Sequence, residues 1–174
     1  MKDKEVALLV VDDDDDARLL MGALLDQLIT SEHNFVPAAD AEEAIRRLED
    51  RFFHLVLSDI QMPGKSGVEL CQHIHRNYPN TVVILVSGMT DIHYAIAAIR
   101  AGAFDYLLKP VDALQLQESV ERALDYQEML MARYHCEQSL EEEVRDLFAL
   151  NARLRAAHAA GRDLPYPAVS AQGK

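Results

Sequence analysis

Six consecutive apolar residues, Val6-Ala7-Leu8-Leu9-Val10-Val11, constrain the fold of this chain more than any other feature. A strand without polar alternation has both faces covered, which occurs inside a parallel sheet flanked by helices on each side. The run passes directly into Asp12-Asp13-Asp14-Asp15-Asp16. Carboxylates at the carboxyl end of such a strand lie where open α/β sheets bind ligands. Two crowded carboxylates there suit a hard divalent cation that keeps several of its waters. Asp14, Asp15 and Asp16 are placed to cap and open a helix before Ala17-Arg18-Leu19-Leu20.

Strand-like and helix-like segments then alternate. Leu20, Ala23, Leu24 and Leu28 have helical spacing over Ala17 to Ile29, followed by a short strand around Phe35-Val36-Pro37-Ala38. A helix over about Ala41 to Asp50 leads to His54-Leu55-Val56-Leu57-Ser58-Asp59, again apolar and again closed by aspartate. Met62-Pro63-Gly64-Lys65-Ser66-Gly67 is a loop. A helix from about Val68 to Asn77 precedes Thr81-Val82-Val83-Ile84-Leu85-Val86-Ser87, the most strand-like run of the chain. A helix over Asp91 to Arg100 is closed by Gly102, and Phe104-Asp105-Tyr106-Leu107-Leu108 is a fifth strand ending at Lys109-Pro110. Five such βα units predict an α/β fold: a flavodoxin-like, doubly wound, five-stranded parallel sheet in the order 2-1-3-4-5 with an extended C-terminal helix.

From Asp112 to about Ala160 there is no glycine or proline, and strong helix formers dominate. Leu116, Val120 and Leu124 are expected to pack on the sheet. Beyond them Leu140, Val144, Leu147, Asn151 and Leu154 step alternately by four and three, the heptad seam of a coiled coil. Asn151 takes the same seam position as Val144, where one buried asparagine fixes register and favours two strands. Upstream the seam becomes irregular, with Arg133 and Glu137 at core positions. These patterns divide the chain into a domain over residues 1–126, a helical coiled-coil extension over 127–160 that forms a homodimer, and a flexible tail over 161–174.

The formal charge of −12 argues against nucleic-acid binding by this segment, because phosphate backbones select basic surfaces. No apolar run is long enough to span a bilayer and no signal peptide precedes the first strand, so a cytoplasmic protein without membrane attachment is expected. Cys71 and Cys136 show neither pairing nor metal-ligand spacing. His73 and His75 do not share a helix face and are not read as metal ligands.

In this topology the ends of the first, third, fourth and fifth strands converge, bringing together Asp12, Asp13, Asp59, Ser87 and Lys109. Each suits a task in phosphoryl transfer, where positioning and charge stabilisation supply most of the catalysis. Asp59 can attack phosphorus to give an acyl phosphate. Asp13 and Asp59 can coordinate Mg²⁺ with the backbone carbonyl of Gln61, while Asp12 acts through a metal-bound water. Lys109 offers a compact positive charge to one equatorial phosphoryl oxygen, and the Ser87 hydroxyl can bond another.

With these residues in place, the chain resembles the receiver domain of bacterial two-component response regulators over roughly Lys4 to Tyr126. The motifs are Val10-Val11-Asp12-Asp13, Asp59-Ile60-Gln61-Met62-Pro63-Gly64, Ser87-Gly88 and Asp105-Tyr106-Leu107-Leu108-Lys109-Pro110. The resemblance implies that Asp59 accepts a phosphoryl group from a sensor histidine kinase or phosphotransfer protein, with Mg²⁺ required. It implies a cis bond between Lys109 and Pro110. It further implies that phosphorylation draws in the Ser87 hydroxyl, that Tyr106 turns inward, and that the face made by the fourth helix, fifth strand and fifth helix is remodelled. The segment Glu137 to Leu154 resembles linkers that join receivers to effector domains such as cyclases, phosphodiesterases or kinases; a fragment and a stand-alone receiver both remain open.

The same residues bear on two other functions. A magnesium-dependent phosphohydrolase with an aspartyl nucleophile needs a second carboxylate two residues on, and Gln61 stands there, unable to do acid–base work. The chain is therefore expected to be a regulatory phosphoacceptor rather than an enzyme, phosphorylating itself from small donors and losing phosphate slowly, with Gln61 and Met89 flanking the site and tuning water access. A receiver-shaped dimerisation scaffold is disfavoured by the intact acidic pair, aspartate, hydroxyl and lysine.

Overall fold

The computed structural model describes residues 5–29 and 32–159. The tail expected over 161–174 lies outside the described residues. The elements are β1 (Val6–Val11), α1 (Asp15–Leu28), β2 (His33–Ala38), α2 (Ala41–Asp50), β3 (Leu55–Asp59), α3 (Gly67–Asn77), β4 (Val82–Ser87), α4 (Ile92–Ala101), β5 (Asp105–Leu108) and α5 (Ala113–Ala159). The five strands form one parallel sheet in the order β2-β1-β3-β4-β5. This is the flavodoxin-like architecture expected from the alternating pattern, with the long C-terminal helix.

The unbroken apolar strands bury side chains on both faces, as their composition requires. On one face Leu9, Val11, Val56, Val83 and Leu85 pack with Ala41, Ala44 and Leu48 of α2, Leu70 and Ile74 of α3, and Ala98 of α4. On the other, Leu8, Val10, Leu55, Leu57, Ile84 and Leu107 meet Leu25 of α1 and Leu116, Val120 and Ala123 of α5. Leu124 is half-buried against this second cluster. Successive side chains of a strand point to opposite faces, so the same run feeds both clusters alternately.

Helix boundaries follow the caps. The Asp14 side chain accepts the backbone N–H groups of Asp16 and Ala17, so α1 starts at Asp15, two residues before the apolar pattern begins. Asp40 and Asp91 cap α2 and α4. Ser66 and Glu69 form a reciprocal capping box at α3. Gly102 closes α4 at φ +88°, in the left-handed region where glycine is favoured.

The chain divides into two compact units, Met1–Met131 and a second beginning at Ala132. In the first, α5 contributes Gln127 and Leu130 as its last buried residues. In the second, Leu140, Val144, Leu147, Asn151 and Leu154 are all exposed along the helix. Among the described residues, no helix is long and apolar enough to cross a membrane.

Candidate functional site

β1 hands the chain to Asp12, β3 ends on Asp59, β4 ends on Ser87, and β5 stops one residue before Lys109. Because β1, β3, β4 and β5 are parallel neighbours, their carboxyl ends form one edge of the sheet. Asp12 is 7% exposed and Asp59 5%. Their carboxylates face a common point occupied by the Lys109 ammonium, 2.7 Å from Asp12 Oδ2 and 2.6 Å from Asp59 Oδ1. The Lys109–Pro110 bond is cis.

Each group is held by local hydrogen bonds. Asp12 Oδ1 accepts the Asp14 N–H at 3.0 Å, and the Arg18 guanidinium donates to the Asp12 carbonyl. Asp13 is exposed beside the site. Asp59 Oδ2 accepts the backbone N–H of Gln61. The buried Ser58 hydroxyl donates to the Asp59 carbonyl at 2.9 Å. Ser87 is fully buried; its Oγ accepts the Met89 N–H at 3.0 Å, and its carbonyl accepts the Lys109 N–H at 2.7 Å. Tyr106 is half-buried and donates its hydroxyl to the Met89 carbonyl at 2.7 Å. The backbone of Met89 thus bridges Ser87 and Tyr106. The seam residues Leu140 to Leu154 belong to the second unit.

Gly67 has a structural role that the loop pattern did not reveal. A Cβ on Gly67 would lie 2.0 Å from the Asp59 carbonyl oxygen, so only glycine lets α3 begin directly against the end of β3. The sequence signal available was a glycine at the loop–helix junction, which turn chemistry alone explains equally well. The Met89 bridge used only backbone atoms and left no side-chain signal.

Electrostatically, two buried carboxylates share one ammonium and Asp13 adds a further negative charge at the rim. Burial is the largest influence on Asp59 and holds its pKa above the ordinary 3.8; the Lys109 ammonium opposes this, and the neighbouring Asp12 charge adds to it. For Lys109 burial acts downward, but the hydrogen bonds and charges of Asp12 and Asp59 together outweigh it and raise its pKa. The lysine therefore stays charged, while the carboxylate pair holds unspent negative charge.

The oxygen donors at this edge match the needs of Mg²⁺. Among the described residues, no three His, Cys, Asp or Glu side chains lie close enough to form a cage. Mg²⁺ does not need one, since it binds through one or two carboxylates, retained waters and phosphoryl oxygens. Two carboxylates already converge on one cationic atom, and the nearby donors are all oxygen, so the residues present fit this ion.

Comparison with known proteins gives a consistent picture. The sequence model of the response regulator receiver domain matches residues 8–121. The response regulator protein FleR of Pseudomonas aeruginosa is 40% identical over 107 residues, covering 62% of this chain and 23% of FleR. The phosphoglycerate transport system transcriptional regulatory protein PgtA of Salmonella typhimurium is 32% identical over 145 residues, 83% of this chain and 34% of PgtA. The chain thus spans about a quarter to a third of these curated relatives. Among solved structures, the signal receiver domain of an HD domain-containing protein from Pseudomonas fluorescens superposes with a TM-score of 0.69 at 30% identity, covering 74% of this chain and 93% of that one. NtrX from Brucella abortus, solved in complex with ADP, gives 0.67 at 33% identity, covering 75% and 30%.

Proposed function

This chain belongs to the response regulator receiver domain family of two-component systems, and from that premise we propose that Asp59 is the phosphoacceptor. The observation that carries this reading is the Asp59 carboxylate, buried at the end of a central strand with Oδ1 2.6 Å from the Lys109 ammonium. The donor is a histidine of a sensor kinase or of a phosphotransfer protein. An Asp59 carboxylate oxygen attacks phosphorus, the bond from phosphorus to the donor nitrogen breaks, and an acyl phosphate forms. Lys109 stabilises charge on an equatorial oxygen of the transferred group.

Asp13, Asp59 and the Gln61 carbonyl would hold Mg²⁺, with Asp12 acting through a water, and the ion would supply charge neutralisation at the phosphoryl oxygens. The raised pKa of Asp59 follows from its burial, so acceptance of the phosphoryl group falls as the pH drops into the carboxylate range, where Asp59 becomes protonated. Gln61 offers no acid–base group for turnover, which supports a regulatory role with slow dephosphorylation.

Ser87 and Tyr106 carry the signal. A Ser87 hydroxyl drawn to the phosphoryl group gives up its bond from the Met89 N–H, and the Met89 carbonyl is the acceptor that holds the Tyr106 hydroxyl. The charge added at Asp59 therefore biases the aromatic through one residue of backbone. The altered face of α4, β5 and α5 reports the state, and the helical extension pairs with a second copy of the chain through Leu140, Val144, Leu147, Asn151 and Leu154.

The test is intact-mass spectrometry after incubation with acetyl phosphate and Mg²⁺, beside an Asp59→Asn variant. A phosphoryl-sized gain that requires magnesium and is absent from the variant is expected. A gain that persists in the variant would move the acceptor elsewhere, and no gain in either protein, with no binding of beryllofluoride, would refute the phosphoacceptor reading.

A further inference from the structure

Asp105, at the start of β5, touches three groups drawn from two elements of the first unit, its own strand and α5. Its Oδ1 accepts the backbone N–H of Tyr106 at 2.8 Å. Its Oδ2 accepts the Ser119 hydroxyl at 2.7 Å and the Arg122 guanidinium at 2.6 Å, both from α5. Ser119 is fully buried, so its hydroxyl has no water to turn to and depends on this acceptor. Arg122 is further steered by the ring of Phe104, 6.0 Å below its guanidinium carbon, and Phe104 itself stacks on Tyr126 of α5 at 5.4 Å between centroids. A second anchor lies farther along α5, where the buried Gln127 side chain donates to the Asn80 carbonyl at 3.3 Å.

The geometry points to Asp105 as the positioning residue that couples Tyr106 to α5, so that rearrangement at the aromatic moves the helix through one carboxylate. The inference rests on the phosphoacceptor reading of Asp59 for its trigger. Its physical content is a carboxylate with one oxygen committed to the strand and the other to the helix. A shift of the 105–106 backbone cannot be absorbed without disturbing the bonds to Ser119 or Arg122. Hydrogen bonds to a charged carboxylate are stronger than neutral ones, and the full burial of Ser119 keeps water from replacing its bond to Asp105. Elsewhere α5 packs on the sheet through the apolar side chains Leu116, Val120 and Ala123.

The experiment uses the full chain with beryllofluoride and Mg²⁺ as the phosphate mimic. Binding is read by fluorine NMR, and the response of α5 by amide hydrogen exchange over residues 113–126. In the wild type, beryllofluoride is expected to change exchange in α5 by about fivefold or more, the lower end of ordinary coupling between sites. Asp105→Asn is expected to bind the mimic as the wild type does while its α5 response falls below about twofold. Arg122→Gln, at an exposed side chain, should weaken the response in the same direction, and the double variant should be no worse than Asp105→Asn alone. A fully retained α5 response in Asp105→Asn, whatever its thermal stability, would reduce the residue to a structural tie and overturn the inference. If Asp105→Asn fails to fold, a retained response in Arg122→Gln does the same. Binding of the mimic in the wild type with no α5 response overturns this inference alone, whereas absence of binding overturns the phosphoacceptor reading and this inference with it.

Discussion

Lys109 holds two buried carboxylates with a single positive charge, and what happens without it separates electrostatics from packing. In Lys109→Ala, Asp12 and Asp59 remain close together with no cation between them. Removing one partner of a buried pair typically costs about 3–5 kcal/mol; Lys109 is 33% exposed, so water recovers part of this, and a loss of about 1–3 kcal/mol at neutral pH is expected. The sign with pH is determinate. With Asp59 pushed further up once the Lys109 ammonium no longer opposes its burial, the folded variant binds more protons than the unfolded chain above the ordinary carboxylate value, so variant stability falls as pH rises through that window. Urea denaturation near neutral pH and at about pH 4 checks this: the gap between variant and wild type should narrow at the lower pH. An equal loss at both would mean that only the lysine stem matters. Asp12, Asp59, Ser87 and Lys109 were legible in the sequence because each ends or follows a recognisable strand. Gly67 and the Met89 backbone were not, because the first answers to a close approach between distant segments and the second acts through atoms that every residue carries.

At the scale of elements, the helical extension makes its own prediction. Val144 and Asn151 alternate along the exposed stripe with Leu140, Leu147 and Leu154, a pattern suited to two parallel strands with Asn151 facing its copy. Cys136 is exposed, whereas Cys71 is buried with its thiol pushed up to about 12 by burial, so maleimides report on Cys136 alone. Parallel, in-register pairing sets the two Cys136 residues beside one another. A short bis-maleimide is therefore expected to join most of the wild-type chains, and Asn151→Leu should raise the melting temperature of the dimer while admitting other registers or larger oligomers. A dimer by sedimentation without cross-linking would mean antiparallel pairing, and a monomer would refute the seam. The helix starts were legible to within two residues, the error at α1 arising because aspartate caps let a helix begin ahead of its apolar pattern.

For the whole molecule, the two units suggest where the chain divides. The one core cluster that α5 joins draws its members of that helix from Leu116 to Leu130, before the boundary at Met131. A chain ending at Met131 is expected to fold alone, to unfold within about 5 °C of the full chain, and to gain phosphate on Asp59 at an unchanged rate while losing self-association. Circular dichroism melts and analytical ultracentrifugation check these together; loss of folding would show that the receiver depends on residues beyond its core. The charge of −12 is spread over the full sequence, so it bears on partners of the chain rather than on its fold.

The sequence alone determined the parallel sheet and its carboxyl edge. A strand apolar at every position must be covered on both faces, and parallel βα units then bring their strand ends together whatever the details of packing. The choice of Asp12, Asp59, Ser87 and Lys109 as neighbours follows from that topology. Tertiary structure alone decided that Lys109 lies between Asp12 and Asp59, that Gly67 admits α3 against the Asp59 carbonyl, and that Asp105 joins Tyr106 to Ser119 and Arg122. These contacts depend on how closely particular atoms of separate segments approach, and neither residue type nor periodicity encodes distance.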